Sequence, residues 1–228
     1  MPSEQAAGVT ILYHGHACFT IKDQDGFTVV VDPFDPQVGY KMPQWKADVV
    51  LVTHGHYDHA NVGAVDCERA PLLEAKGETR AGPLVIRGVT VPHWASLGDK
   101  ARGEVTAYRW EQGGVALCHL GDLAQLLTAE QTAALKPVDV LFVPVGGKYT
   151  VGPAEAVQVV EQLEPAIVVP MHYRTAYSKL TDIQTVGEFL KKVPESWEVR
   201  QEAGNFIFVG PQTLATLSSR PTVWVINP

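Results

Sequence analysis

Cysteine is scarce. Cys18, Cys67 and Cys118 are the only three, an odd number with no Cys-x-x-Cys spacing, which argues against a disulfide framework and fits a reducing cytoplasm. No apolar stretch approaches the roughly 20 residues that a membrane-spanning helix requires. Lysine and arginine never gather into a run, so nothing here suits the backbone of a nucleic acid. The opening Met1-Pro-Ser-Glu-Gln-Ala-Ala-Gly8 has neither the basic start nor the apolar segment of a secretory signal. These absences lead to the expectation of a soluble cytoplasmic protein with no nucleic-acid or membrane partner.

At 228 residues and 46% hydrophobic content the chain can bury a sizeable core, and one domain over residues 1–228 is expected. Its 25 acidic against 18 basic residues give a formal charge of −7, which favours solubility and says little about substrate. Strands are expected at residues 9–13, 18–22 and 27–31, with Asp23-Gln-Asp-Gly26 as the turn between the last two. Residues 34–46, punctuated by Tyr40, Met42 and Trp45, form a loop that either overhangs a site or packs on the surface. A buried strand follows at 49–52, then single helical turns at 62–65 and 72–76. Strands at 84–86 and 89–91 flank a turn at Arg87-Gly88, and 105–110 and 115–119 form a hairpin. Thr128-Ala-Glu-Gln131 is a capping-box pattern for a short helix ending at Leu135 before Pro137. A strand at 138–143 leads to the flexible loop 144–150. Pro153 opens a helix with Ala156, Val159, Val160 and Leu163 on one face. After a strand at 166–169, Thr181-Asp-Ile-Gln184 caps a last helix, with Ile183, Val186, Leu190 and Val193 as its apolar face. Residues 197–200, 205–209, 213–217 and 223–226 read as closing strands, the last serving alternatively as a subunit contact in a homo-oligomer. This order implies two packed sheets with helices outside, an α/β/β/α sandwich of the α+β class.

The chain is organised around Thr53-His54-Gly55-His56-Tyr57-Asp58-His59, directly after the apolar run Val49-Val50-Leu51-Val52. Alternate residues of a strand share a face, so His54 and His56 can point together, and Gly55 lets the backbone bend between them. Asp58 and His59 lie further round the turn and project elsewhere, so one motif could serve two adjacent metal ions. Three more donors each follow an apolar strand: His93, Asp122 and His172. Taken singly, each also reads as a polar group at a strand end.

The motif resembles that of the metallo-β-lactamase-fold hydrolases, in the small single-domain metal-dependent branch that includes ascorbate-phosphate lactonase-like proteins. The likeness runs from about residue 9 to residue 209. It implies that His54, His56 and His93 bind one metal, that Asp58, His59 and His172 bind a second, and that Asp122 bridges them. All seven positions hold the expected residue type. It further implies that Asp32, at the end of a buried strand, steadies a ligating imidazole, although an Asp before Pro33 also suits an ordinary turn. His16, in Gly15-His16-Ala-Cys-Phe19, shares the family pattern and lines the pocket or is a plain strand-end histidine. His14 and His119 are expected to be structural or solvent-facing. Only 34 positions separate His59 from His93, fewer than many relatives have, so one pocket wall departs from the family.

No cysteine falls at a donor position, so the site is all nitrogen and oxygen. Zinc is the default, with manganese, iron and nickel as alternatives. Two divalent ions against two carboxylates leave surplus positive charge, which favours a bound hydroxide able to attack an ester, lactone or phosphoester in a small molecule. Asp58 is the candidate to steer the water. Lys148 and Arg174, on loops at the same end, would suit an anionic substrate. The competing readings are a nuclease or phosphodiesterase of the same fold, and a metal-sensing or redox module without hydrolysis.

Overall fold

The computed structural model describes residues 7–41, 43–69, 71–93, 103–217 and 220–228. The expected positions of Met42 and of Trp94 to Ser96 lie outside these residues. In chain order the strands are β1 (Val9–Gly15), β2 (Cys18–Asp23), β3 (Thr28–Val31), β4 (Trp45–Lys46), β5 (Val49–Val52), β6 (Val65–Asp66), β7 (Leu72–Leu73), β8 (Gly77–Ala81), β9 (Leu84–Pro92), β10 (Glu104–Gln112) and β11 (Val115–His119). Helix α1 (Ala129–Leu135), β12 (Val140–Pro144), α2 (Pro153–Leu163), β13 (Ile167–Met171) and α3 (Val186–Leu190) follow. The chain closes with β14 (Glu198–Gln201), β15 (Phe206–Val209), α4 (Pro211–Thr216) and β16 (Thr222–Val225).

Two sheets carry the architecture. One has the order β15-β1-β2-β3-β5-β7, the other β14-β16-β13-β12-β11-β10-β9-β8. Alternation along each strand decides which side chains face inward. Ile11, Tyr13, Phe19, Ile21, Val29 and Val31 of the first sheet share one buried core with Tyr108, Trp110, Leu117, Phe142 and Val169 of the second. The parallel strands β11, β12 and β13 are apolar on both faces because helices cover the outside. Helix α2 starts with Pro153 at its first turn and buries Ala156, Val159, Val160 and Leu163, as the periodicity predicts. The capping box at Thr128 forms, with the Thr128 hydroxyl accepting from Gln131 N and the Gln131 side chain accepting from Thr128 N. On the other side, residues 34–46 pack as a layer: Phe34, Val38, Tyr40 and Trp45 bury against Cys18 and Val30, the outward residues of β2 and β3.

Several sequence expectations are corrected. Residues 72–76 are not helical. Leu72 and Leu73 pair with Leu51 and Val52, and the Tyr108 hydroxyl accepts from Ala75 N at 2.9 Å, so a strand outcompetes a marginal helical turn. Arg87-Gly88 is not a turn but the middle of one long strand, β9. It pairs with β10 on one side and with β8, which the sequence reading missed, on the other. Gly88 is there for space: a Cβ would lie 1.8 Å from the Ala75 carbonyl oxygen. Residues 213–217 belong to a short helix, α4, because Pro211 suits a first helical turn and the Thr213 hydroxyl accepts from Gly210 N. Thr181–Gln184 does not cap a helix. Thr185 precedes α3, and Asp182 is engaged by Lys148 and Tyr149. The C-terminal run is a closing strand, since β16 sits between β13 and β14 with Val223, Val225 and Ile226 buried.

No helix is long and apolar enough to cross a membrane among the described residues. The strands β1, β3, β5, β9, β11, β12 and β13 all end at the same side of the sandwich, where loops from both sheets converge. The fold makes one sharp stability prediction. Gly88→Ala is expected to destabilise the protein by about 3 kcal/mol or more, because the clash is with backbone that cannot rotate away. Denaturant unfolding measures it, and a loss under about 1 kcal/mol would show that β9 and the residue 75 segment can separate.

Candidate metal centre

Each donor is positioned by the element that ends beside it. β5 delivers Thr53, His54, His56, Asp58 and His59; β9 delivers His93; the turn after β11 delivers Asp122; and β13 delivers His172. The structure brings all seven expected donors together, and His16 with them. Among the described residues three groups form: His54, His56 and His93; His54, His59 and Asp122; and His16, Asp58, His59 and His172, the donor atoms of each lying within 4.8 Å of one another.

Beneath them lies Asp32, fully buried. Its carboxylate accepts from Thr53 N and Thr53 Oγ1, each at 2.8 Å, and from His59 Nδ1 at 2.8 Å. An ionised carboxylate only accepts, so Nδ1 of His59 must carry a proton, and Nε2 is the nitrogen that faces the cluster. The Thr53 hydroxyl has spent its one proton on Asp32. Toward His54 Nδ1, 3.1 Å away, it can therefore only accept, which fixes the same tautomer on His54. Sequence reasoning foresaw Asp32 as the support of one imidazole and missed that Thr53 extends it to a second. The signal was present in a hydroxyl residue directly before the first histidine. Gly121 packs against Thr53, where a Cβ would lie 2.8 Å from its side chain.

Asp122 joins the groups. Its Oδ1 lies 3.2 Å from His59 Nε2 and 3.4 Å from His172 Nε2, while its Oδ2 faces His54 Nε2 at 3.8 Å. His93 Nε2 approaches His56 Nδ1 at 3.3 Å, so two nitrogens address one point. His54 Nε2, His59 Nε2 and Asp122 Oδ1 are buried without a hydrogen-bond partner. Orphaned buried donors and acceptors are costly, and converging lone pairs repel; a divalent cation satisfies both. The residues fit a metal.

Electrostatics agree. Burial pushes the His54 imidazole down to about 3 and that of His172 down to about 4, so both are neutral at neutral pH, the form that can bind a metal. Burial opposes a charge on His59 as well, but Asp122, Asp58 and Asp32 outweigh it and hold the imidazolium well above its ordinary range. Without metal, a proton thus sits where a cation would sit. Asp58 and Asp122 resist ionisation by burial, yet the neighbouring histidines hold both carboxyls below the usual range.

The other expectations sort cleanly. His119 is structural: its Nε2 donates to Ala17 O at 2.9 Å and its Nδ1 accepts from Gly121 N. His14 pairs with Thr20 Oγ1 at 2.7 Å. Lys148 and Arg174 are not among the convergent donors. Lys148 is ion-paired with Asp182, which also accepts from the Tyr149 hydroxyl, and Arg174 donates to Thr181 O at 2.9 Å. The centre opens at His56 and Asp58, the half-buried members, with Tyr57 between them 50% exposed. A cleft of about 480 Å³ between the turns at 23–27 and 111–114 lies at the opposite end and carries no converging donors.

Histidines held neutral by burial release stability as they charge. Their folded pKa lies below the unfolded value, so their contribution is complete above about pH 6.5 and is lost as pH falls toward 4. Metal-free protein is expected to lose about 2 kcal/mol for each such imidazole between pH 7.5 and 5. Denaturation midpoints in chelator measure this, and a flat profile would contradict the buried neutral assignment.

A model described as a beta-lactamase superfamily domain matches residues 10–172. A relative from Thermococcus onnurineus named a metal-dependent hydrolase is 32% identical over 217 residues, spanning 84% of this chain and 95% of the relative. A crystal structure of a proposed Zn-dependent hydrolase of the metallo-β-lactamase superfamily from Thermotoga maritima is 33% identical, with a TM-score of 0.73 covering 95% of this chain and 98% of that one. Igni18, a metallo hydrolase from Ignicoccus hospitalis, is 25% identical with a TM-score of 0.64, covering 82% and 90%. Sequence kinship over most of the chain, the sandwich of two sheets and a buried cluster of histidine and aspartate at their shared rim agree: the chain belongs to the metallo-β-lactamase superfamily, as a metal-dependent hydrolase.

Proposed function

We propose that the protein cleaves an ester, lactone or phosphoester bond in a small molecule at a centre of two divalent metal ions. The observation that carries this reading is Asp122, whose two carboxylate oxygens face different donor groups, so one side chain can serve both ions. In this reading His54, His56 and His93 hold one ion, Asp58, His59 and His172 hold the other, and Asp122 touches both. Two cations bound there would acidify water and draw charge from the oxygen of the scissile group. With only nitrogen and oxygen donors, zinc is the first metal to test, ahead of manganese, iron and nickel.

The chain's own residues do the positioning. Asp58 is the most accessible carboxylate of the cluster, with its side chain 14% exposed. His59 and His16 keep it ionised against its burial, so it orients water as an acceptor more than it retains a proton. Asp32 and Thr53 hold His59 and His54 in the tautomer that presents Nε2. Tyr57 offers its exposed ring as a wall for the substrate at the mouth. The charge of −7 and the lack of a basic run disfavour a nucleic-acid substrate. Three unpaired cysteines support a cytoplasmic setting.

Exhaustive chelation is expected to slow hydrolysis of a responsive lactone, thioester or phosphodiester at least about 100-fold, with full recovery only at two equivalents of metal per chain. Equal rates with and without metal, or full recovery at one equivalent, would end the two-ion reading. Asp32→Asn keeps the shape but turns one accepting oxygen into a donor, so the three bonds from Thr53 and His59 cannot all be kept. It is expected to weaken metal binding by about 10- to 100-fold in competition with a chelating dye. Unchanged affinity would show that His59 needs no support.

A further inference from the structure

His16 Nε2 lies 3.0 Å from Asp58 Oδ2, and His16 shares its cluster with Asp58, His59 and His172. Its ring stands 4.1 Å from that of His172 and 5.1 Å from that of His59, centroid to centroid. The side chain is 1% exposed, so it does not sit at this strand end to meet solvent.

The backbone shows that this placement is enforced. His16 has φ 56°, in the left-handed region that disfavours every residue with a Cβ, and Gly or Asn would serve better if only a turn were needed. Its carbonyl accepts from His172 N at 2.7 Å and from the Tyr13 hydroxyl at 3.0 Å. One link crosses to the second sheet, the other returns to β1, and between them the imidazole is turned inward.

Donor spacing admits His16 to the shell of an ion. Around one ion with bonds near 2.1 Å, neighbouring ligands stand roughly 3.0 to 3.6 Å apart. The separations here are 3.0 Å for His16 to Asp58 and 3.7 Å for His59 to Asp58, and the donor atoms of His16, Asp58, His59 and His172 all lie within 4.8 Å of one another. A group gathered this closely can turn on one ion.

Resting on the two-ion reading, we propose that His16 is a fifth protein ligand, through Nε2, of the ion held by Asp58, His59, His172 and Asp122. Five protein donors would crowd that ion, so the oxygen of the substrate would be left to the other, which His54, His56, His93 and Asp122 would hold. Asp58, fixed beside a second ligand, cannot swing away to follow the substrate.

The test counts imidazoles. In cobalt-loaded protein each metal-bound histidine gives its own hyperfine-shifted ring N–H proton signal. Six are expected in the wild type, from His16, His54, His56, His59, His93 and His172. His16→Asn tolerates the left-handed backbone but is too short to reach the ion. It is expected to show five signals and to lose one of two ions to a chelator at least about 100-fold more readily than wild type, beyond the range typical of a mere supporting hydrogen bond. Wild-type protein with two ions and five signals overturns this inference and leaves the two-ion reading standing, as does His16→Asn that holds both ions at wild-type affinity. Wild-type protein that binds fewer than two ions overturns both. If the variant does not fold, the wild-type count alone decides.

Discussion

Two buried carboxylates and one half-buried carboxylate meet at one rim of this protein, and negative charge in such a place must be answered. Asp32, Asp58 and Asp122 meet a ring of imidazoles that answers it in part. A carboxylate away from water is tolerable only when paired and hydrogen-bonded. Asp32 is fully satisfied by Thr53 and His59, while Asp122 Oδ1 is left without a hydrogen bond. The rim is complete below and incomplete above. That asymmetry marks the upper layer as the place for a cation.

The two sheets exist, from the standpoint of this site, to bring strand ends together. A few inter-sheet hydrogen bonds hold the rim closed. His172 N donates to His16 O at 2.7 Å, His119 Nε2 to Ala17 O at 2.9 Å, and Thr106 N to Thr53 O at 2.9 Å. Each joins the β1–β5 region to the β10–β13 region next to a donor. His16, Asp32 and His172 all have positive φ, at 56°, 48° and 52°. Strain of this kind persists only where surrounding contacts over-determine it, and here it aims side chains inward. A rigid rim keeps the ligand shell from having to be organised anew when metal arrives.

The chemistry follows from that preorganisation. Burial keeps His54 and His172 neutral, and Thr53 and Asp32 turn Nε2 of His54 and His59 toward the cluster, so these donors are oriented in advance. The cluster is accessible where His56 and Asp58 approach the surface, and Tyr57 flanks that opening. Lys148 and Asp182, paired across two loops, tie the segment after β12 to the segment after β13 and so frame the same end of the molecule.

Much was legible in the residues themselves. His-x-His-x-Asp-His after a buried apolar run, and single donors after three later runs, pointed to seven of the side chains that meet at the rim, because chemistry at strand ends follows local pattern. The capping box at Thr128 and the apolar face of α2 were legible for the same reason, being interactions within one turn or two of the chain. What local pattern could not decide was set by distant partners. Residues 72–76 became a strand because β5 and the Tyr108 hydroxyl were waiting for them, and Gly88 sits mid-strand because the residue 75 carbonyl crosses it. Thr53 became a proton donor to Asp32, and His16 a neighbour of Asp58, only when β1, β2, β3 and β5 lay in one sheet. Sequence determined which groups could bind a metal; tertiary structure alone decided which of them face one another, since hydrogen bonds and charges act through space, with no regard for separation along the chain.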